Sequence, residues 1–389
     1  MANRFYDDDD LKSVRRWFEG NQDSASEKMV AEFEAAFGEA VGATHVAAVA
    51  NAMHGLQMAL QACYVGPGDE VIVDPIVVFG GLAAMYCNAV PVFADIDPRT
   101  FNMSPESLRA KITPRTRAVI CTHFGGLPCE MDEIVSVARE HNLVVIEDCA
   151  HALYATYKGR PAGLIGDVGV FSFNHRKQLS TGQGGAMTFA NEKLYQEVRR
   201  LHFGRVPARI SWNAQMPGVV AAVALSQLPK SRRYVEDDHR NAELMDQAVA
   251  GCAFIAPQSV PGHSWSAQHL WTADYRGEEH GIPMDDFRRA CQEEGADYFL
   301  FGFMPANWQG IKASPAYAYP VFTDPAGCGN GCSAACPRYD GGESLRERNV
   351  CENAERISPR LINTTLSPIS QERVERLAEG LHRAVRRFS

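Results

Sequence analysis

The 389-residue sequence predicts an α/β protein in two parts: a large three-layer α/β/α domain on a mostly parallel sheet (1–250) and a smaller C-terminal α+β domain (251–389). Three observations predict it. Short, near-continuous runs of Val, Ile, Phe and Ala recur through the first two thirds, as strands buried on both faces of a parallel sheet require. Helical patterns separate those runs, which implies right-handed crossovers. After about Gly251 this rhythm changes.

Taken in order, the early run "DDDD" reads as the solvated first turn of a helix, favoured there by the helix dipole. The expected strands are "HVAAVA" (45–50), "EVIVD" (70–74), "VPVFADI" (90–96), "RAVICTHF" (117–124), "LVVIED" (143–148), "VGVFSF" (168–173) and "GAMTFA" (185–190). Helix candidates between them include "MHGLQMALQACY" and "MDEIVSVAREHN". "EKLYQEVRRLHF" (192–203) is amphipathic, and a long helical region runs from about Val219 to Ala250. The second part holds an irregular Gly-, Cys- and Pro-rich segment (320–344) and closes on the helix "SQERVERLAEGLHRAVRRF".

Composition excludes several functions. The net charge is −9 with a pI near 5.8, so sequence-independent nucleic-acid binding is disfavoured. No run of 18 apolar residues offers a membrane span. The N-terminal stretch lacks the apolar core of a signal peptide, and the eleven cysteines are an odd number. A cytoplasmic protein with free thiols is the expectation. Cys328, Cys332, Cys336 and Cys351 have neither the paired spacing nor the histidine of a zinc site, so no metal is expected.

The stretch "FSFNHRKQLSTGQGG" (171–185) places His175, Arg176 and Lys177 between an apolar run and a glycine-rich turn. Such a triplet is most often a solvated surface. In a tight loop, however, Lys177 can be desolvated, and its amine then becomes a usable nucleophile. Asp148 ends the run "VVIED", where strand C-termini of an open α/β sheet line the ligand crevice. It either caps a helix beginning at "CAHALY" or partners a buried cation. A lysine Schiff base with an aspartate on a pyridine nitrogen is the signature of pyridoxal 5′-phosphate (PLP) chemistry. His123, at the end of "CTHFGG", is a further candidate for the cleft.

The whole run resembles the DegT/DnrJ/StrS-type sugar aminotransferases, a branch of the fold-type-I PLP enzymes. The matching residues are Asp148 and His151, Gly166-Asp167, Phe171-Ser172-Phe173, Lys177, and Thr181-Gly182-Gln183-Gly184-Gly185, with "GPGDEVIV" and "CENAERI" outside the centre. The resemblance implies that Lys177 joins the cofactor and shuttles a proton, and that Asp148 binds the ring nitrogen. It places His151 near the phenolic oxygen and Ser172 on the phosphate. Asn213, in "SWNAQMPG", would reach the phosphate of a partner subunit, implying a homodimer with shared active sites.

Two departures stand out. The family's Gly-Thr at the first large-domain helix is Ala52-Met53 here, which keeps the backbone donors but loses a hydroxyl. The family's ring-stacking aromatic falls near Phe79 or Val78. The expected activity is amino transfer from glutamate or glutamine to a keto-sugar, possibly nucleotide-linked, or a keto-cyclitol. A PLP-dependent sugar dehydratase, an aromatising synthase and a non-catalytic regulatory relative remain open alternatives.

Overall fold

The aspartate run caps a helix, as its charge implies. In the computed structural model, which describes residues 6–20, 22–203, 213–301, 315–323, 349–366 and 369–389, Asp7 is the N-cap of α1 (Asp8–Glu19). Its side chain accepts from the Asp9 N–H, and Asp10 reaches back to the Asp7 N–H at 2.7 Å, a capping box built from acids. Helix α2 (Gln22–Val41) follows.

The chain then alternates: β1 (Val46–Val49), α3 (Ala52–Ala62), β2 (Glu70–Val73), α4 (Val78–Tyr86), β3 (Val90–Phe93), α5 (Pro105–Lys111), β4 (Thr116–Thr122), α6 (Met131–Glu140) and β5 (Val144–Asp148). After the two-residue strands β6 (Thr156–Tyr157) and β7 (Arg160–Pro161) come β8 (Val168–Ser172), β9 (Gly185–Phe189), α7 (Glu192–Phe203) and α8 (Gly218–Ala248). All seven expected runs enter one sheet, in the order β1-β9-β8-β5-β4-β2-β3. The neighbours from β8 through β3 pair parallel, and β9 alone runs antiparallel between β1 and β8.

Successive residues of the central strands go to opposite faces. On β2, Val71 and Val73 enter one apolar cluster and Ile72 another; on β4, Ala118 and Ile120 oppose Val119 and Cys121. Helices therefore cover both faces, which gives three layers. The runs are trimmed at their ends for identifiable reasons. "VPVFADI" stops at Phe93 because the Asp95 carboxylate turns aside to accept the N–H groups of Asn353 and Ala354.

The remaining elements are β10 (Ile255–Pro257), β11 (Ser264–Trp265), β12 (Leu270–Tyr275), α9 (Met284–Glu293), β13 (Leu300–Phe301), α10 (Pro320–Thr323), α11 (Glu352–Ile357), β14 (Leu361–Thr365) and α12 (Gln371–Arg386). A second, antiparallel sheet has the order β10-β12-β14-β13. Its core takes Trp271, Ala273 and Tyr275 from β12 with Val374, Leu377 and Leu381 from α12. It also takes Ala242, Met245 and Ala248 from the end of α8, whose earlier turns pack with α2 and the first sheet. Strand β11 pairs with β6 and so ties the second part to the first. Among the described residues no helix is long and apolar enough to cross a membrane.

Candidate active site

The site forms where the parallel strands end. Asp148 closes β5, buried between β4 and β8 at 2% exposure. Its Oδ1 accepts the Ala150 N–H at 3.0 Å; its Oδ2 has no hydrogen-bond partner among the described residues. Burial pushes this carboxyl above the ordinary aspartate value, opposed by the Ala150 bond and by the positive charge of Lys177.

Lys177 lies in the connection that turns β8 back into antiparallel β9. The Phe173 N–H donates to Gly184 O and the His175 N–H to Gly182 O, at 2.9 and 3.0 Å. Gly182 has φ +81°, the left-handed conformation that glycine adopts without steric cost. The basic triplet thus splits: His175 and Arg176 face solvent, while the half-buried Lys177 turns inward. Burial lowers its amine from 10.5 to about 8; Asp148 opposes that shift and Arg176 adds to it. Lys177 and Asp148 thus lie close enough for each to oppose the other's burial shift.

Two histidines complete the amine's surroundings. His269 Nε2 is 3.4 Å from Lys177 Nζ, and its ring lies 4.7 Å from that of His151. Burial, with the nearby lysine, holds both imidazoles well below their usual range, so both are neutral at pH 7. Each has a buried Nδ1 without a partner among the described residues. His269 is a site residue that motif reading misses, since "SAQHLW" carries no signature by itself.

Below Asp148 lies a closed polar layer. Glu147 is fully buried, yet its carboxylate is held below the ordinary value, because four donors outweigh the desolvation. His123 Nε2 is 3.0 Å from Oε2, and the N–H groups of Gly163, Ile165 and Gly166 donate at 2.9, 2.7 and 2.6 Å. The Cys129 N–H donates to His123 Nδ1, so the imidazole proton is on Nε2 and points at Glu147. His123, Glu147 and Cys149 are the one group of three potential metal ligands among the described residues; the bonds just given already engage the first two. Cys328, Cys332 and Cys336 lie outside the described residues.

Asp74, at the end of β2, is a further missed carboxyl. It is 3% exposed and burial pushes it up to about 6, with Asp148 adding to the shift. Its sequence signal is the same as that of Asp148: an acid closing an apolar run.

The expected phosphate residues converge at the same strand ends, Ser172 lying two residues beyond Val170, the partner of Asp148. Val49, Gly185 and Ser172 are directly paired across β1, β9 and β8. A Cβ on Gly185 would come within 3.1 Å of the Ala52 nitrogen, so glycine permits this approach to the start of α3. Asn51 caps that helix through His54 N–H, and the N–H groups of Ala52 and Met53 have no partner among the described residues. Ser172 is half-buried, its Oγ engaged among the described residues only by a long 3.4 Å bond from the Asn174 N–H. Asn213 is exposed at the start of the segment in which Gln215 bridges to Val49. Phe79 is 48% exposed on the first turn of α4 and makes no ring contact among the described residues, whereas Val78 packs against the main core.

A cradle for an anion at a helix N-terminus, a lowered amine and a buried acid with a free oxygen together suit a phosphorylated, ring-containing cofactor. The sequence profile of the DegT/DnrJ/EryC1/StrS aminotransferase family matches residues 5–319. The spore coat polysaccharide biosynthesis protein SpsC of Bacillus subtilis is 37% identical over 295 residues, 68% of this chain and 73% of that protein. A GDP-perosamine synthase of Caulobacter vibrioides is 40% identical over 231 residues, 57% of this chain and 62% of the synthase, so the match spans less than two thirds of that relative. Among solved structures, DesI in the presence of its TDP-sugar product superposes with a TM-score of 0.77 at 26% identity, covering 99% of this chain and 92% of that one. The chain belongs to the DegT/DnrJ/EryC1/StrS aminotransferase family.

Proposed function

We propose that this chain uses PLP to pass an amino group from glutamate or glutamine to a keto-sugar, nucleotide-linked or free, or to a keto-cyclitol. The observation that carries the reading is Lys177, turned inward against His269 and close enough to buried Asp148 for the two groups to shift each other's titration. The names of the relatives, a GDP-sugar synthase and an enzyme solved with a TDP-sugar, favour a nucleotide-linked acceptor.

PLP, when bound, supplies an electron sink for a substrate carbanion. Asp148 Oδ2, which has no hydrogen-bond partner among the described residues, is the acceptor that would hold a protonated ring nitrogen. Lys177, with its amine at about 8, both gives and takes a proton near neutral pH, as a 1,3-shift of hydrogen requires. The Ala52 and Met53 N–H groups and Ser172 would hold the phosphate. Asn213, exposed here, would supply a further phosphate contact to the partner in a homodimer.

The test is spectroscopic. The purified protein should carry a visible absorption band, and borohydride should fix the cofactor on Lys177 by peptide mapping. Glutamate or glutamine should bleach the band. Ketosugars with and without a nucleotide handle, and ketocyclitols, then identify the acceptor. Amino donors that leave the spectrum unchanged would defeat the transamination reading.

A further inference from the structure

We propose that His269 is a positioning residue for Lys177: it accepts a hydrogen bond from Nζ and so fixes where the amine sits. This rests on the reading of Lys177 as the residue that joins and serves the cofactor.

The lysine stem is long and flexible, so burial alone does not place its nitrogen. The structure supplies a partner from elsewhere in the chain, 92 positions away, at 3.4 Å. An ammonium group has only donors, so His269 Nε2 must be the acceptor whenever Lys177 is protonated. When Lys177 is a neutral amine, the same N–H···N bond leaves the nitrogen lone pair directed elsewhere in the site.

His269 is itself held firmly. The Gln178 side chain, next to Lys177, donates to Ala267 O at 2.7 Å. The Ala267 N–H donates to Gly126 O at 3.0 Å, and His239 Nδ1 lies 3.1 Å from Ser266 O. Gly126 has φ +108°, and a Cβ there would fall 2.7 Å from the Gln268 nitrogen, 2.9 Å from His151 O and 3.1 Å from the His269 nitrogen. Gln268, directly before His269, has φ +50°, a conformation that costs a non-glycine residue energy. Among the described residues the His269 ring makes a side-chain hydrogen bond to Lys177 alone, and the chain holds a strained backbone directly before it.

Among the described residues, Nζ lies 3.4 Å from His269 Nε2 and feels the charges of Asp148 from β5 and of solvent-facing Arg176 from its own loop, with His151 nearby in the turn after β5. The experiment measures acylation of Lys177 against pH by mass spectrometry, on the full chain stripped of cofactor, together with kcat and KM of the loaded enzyme. His269→Phe removes the acceptor for the ammonium, so the labelling midpoint should fall by roughly one pH unit. kcat should fall about 10- to 100-fold with KM unchanged. His269→Asn, polar but too short to reach, should behave like His269→Phe and serves if that variant fails to fold. His269→Gln, whose amide reaches the Nε2 position, should restore both midpoint and kcat. Wild-type midpoint and kcat in the Phe and Asn variants would overturn the proposal. Lys177→Ala separates the two claims: if borohydride still fixes cofactor elsewhere in that variant, the reading of Lys177 itself fails.

Discussion

Glu147→Gln tests the layer beneath the site. The carboxylate accepts four hydrogen bonds, two at each oxygen: His123 and Gly163 at one, Ile165 and Gly166 at the other. An amide keeps one acceptor oxygen and places an NH₂ against the other two donors. His123 cannot adapt, because Cys129 N–H already occupies its Nδ1. Two buried donors thus lose their acceptor, at about 1–3 kcal/mol each. Lower desolvation of the neutral amide offsets part of this, leaving a loss of about 3 kcal/mol. At about 2.1 cal/mol/K per residue, 389 residues give an unfolding entropy of about 0.8 kcal/mol/K, so Tm should fall by about 4 °C.

The assay is differential scanning calorimetry of both proteins from pH 7 downward. Glu147 is held below 4.5 in the folded chain, so its ionised form stabilises fully above that value. The wild-type advantage should persist to about pH 4.5 and close as the pH drops through the lowered folded value. Equal midpoints at pH 7, or a gap unaffected by acid, would refute the account of Glu147 as an ionised four-fold acceptor.

Asp148→Asn should lower kcat about 10²- to 10³-fold while borohydride still fixes cofactor on Lys177, because the amide cannot stabilise a ring cation. The rate at which cofactor-free chain captures PLP, followed by the visible band, should rise with pH and level off above about 8, where the Lys177 amine is unprotonated. Ala52→Gly combined with Met53→Thr returns a hydroxyl to the start of α3 and should tighten cofactor binding about 5- to 10-fold by equilibrium titration.

The strands of the main sheet were legible because burial on both faces demands continuous apolar runs, and each such run in the first two thirds became one of its strands. Lys177 and Asp148 were legible because each sits at a boundary between an apolar run and a turn. What escaped was long-range. β6, β7 and β11 have two residues each, too few to show a period. His269 meets Lys177 only because β12 begins beside the loop after β8, a juxtaposition no local pattern encodes. Asp74 was read as the tail of a strand, and its nearness to Asp148 became visible only in the folded chain. Phe79, expected near the cofactor ring, points to an exposed surface of α4, since the helix starts one residue earlier, at Val78, which takes the inward position.

Helix α8 runs 31 residues without interruption and belongs to two cores, Ala221 to Val235 in one and Ala242 to Ala248 in the other. A hybrid enzyme that borrows the C-terminal portion of a relative must therefore take its junction inside the helix, near Asp238, and not in the loop that follows. Grafted at residue 250, the donor portion would meet a foreign Ala242-Met245-Ala248 stripe and be mismatched along its whole inner wall.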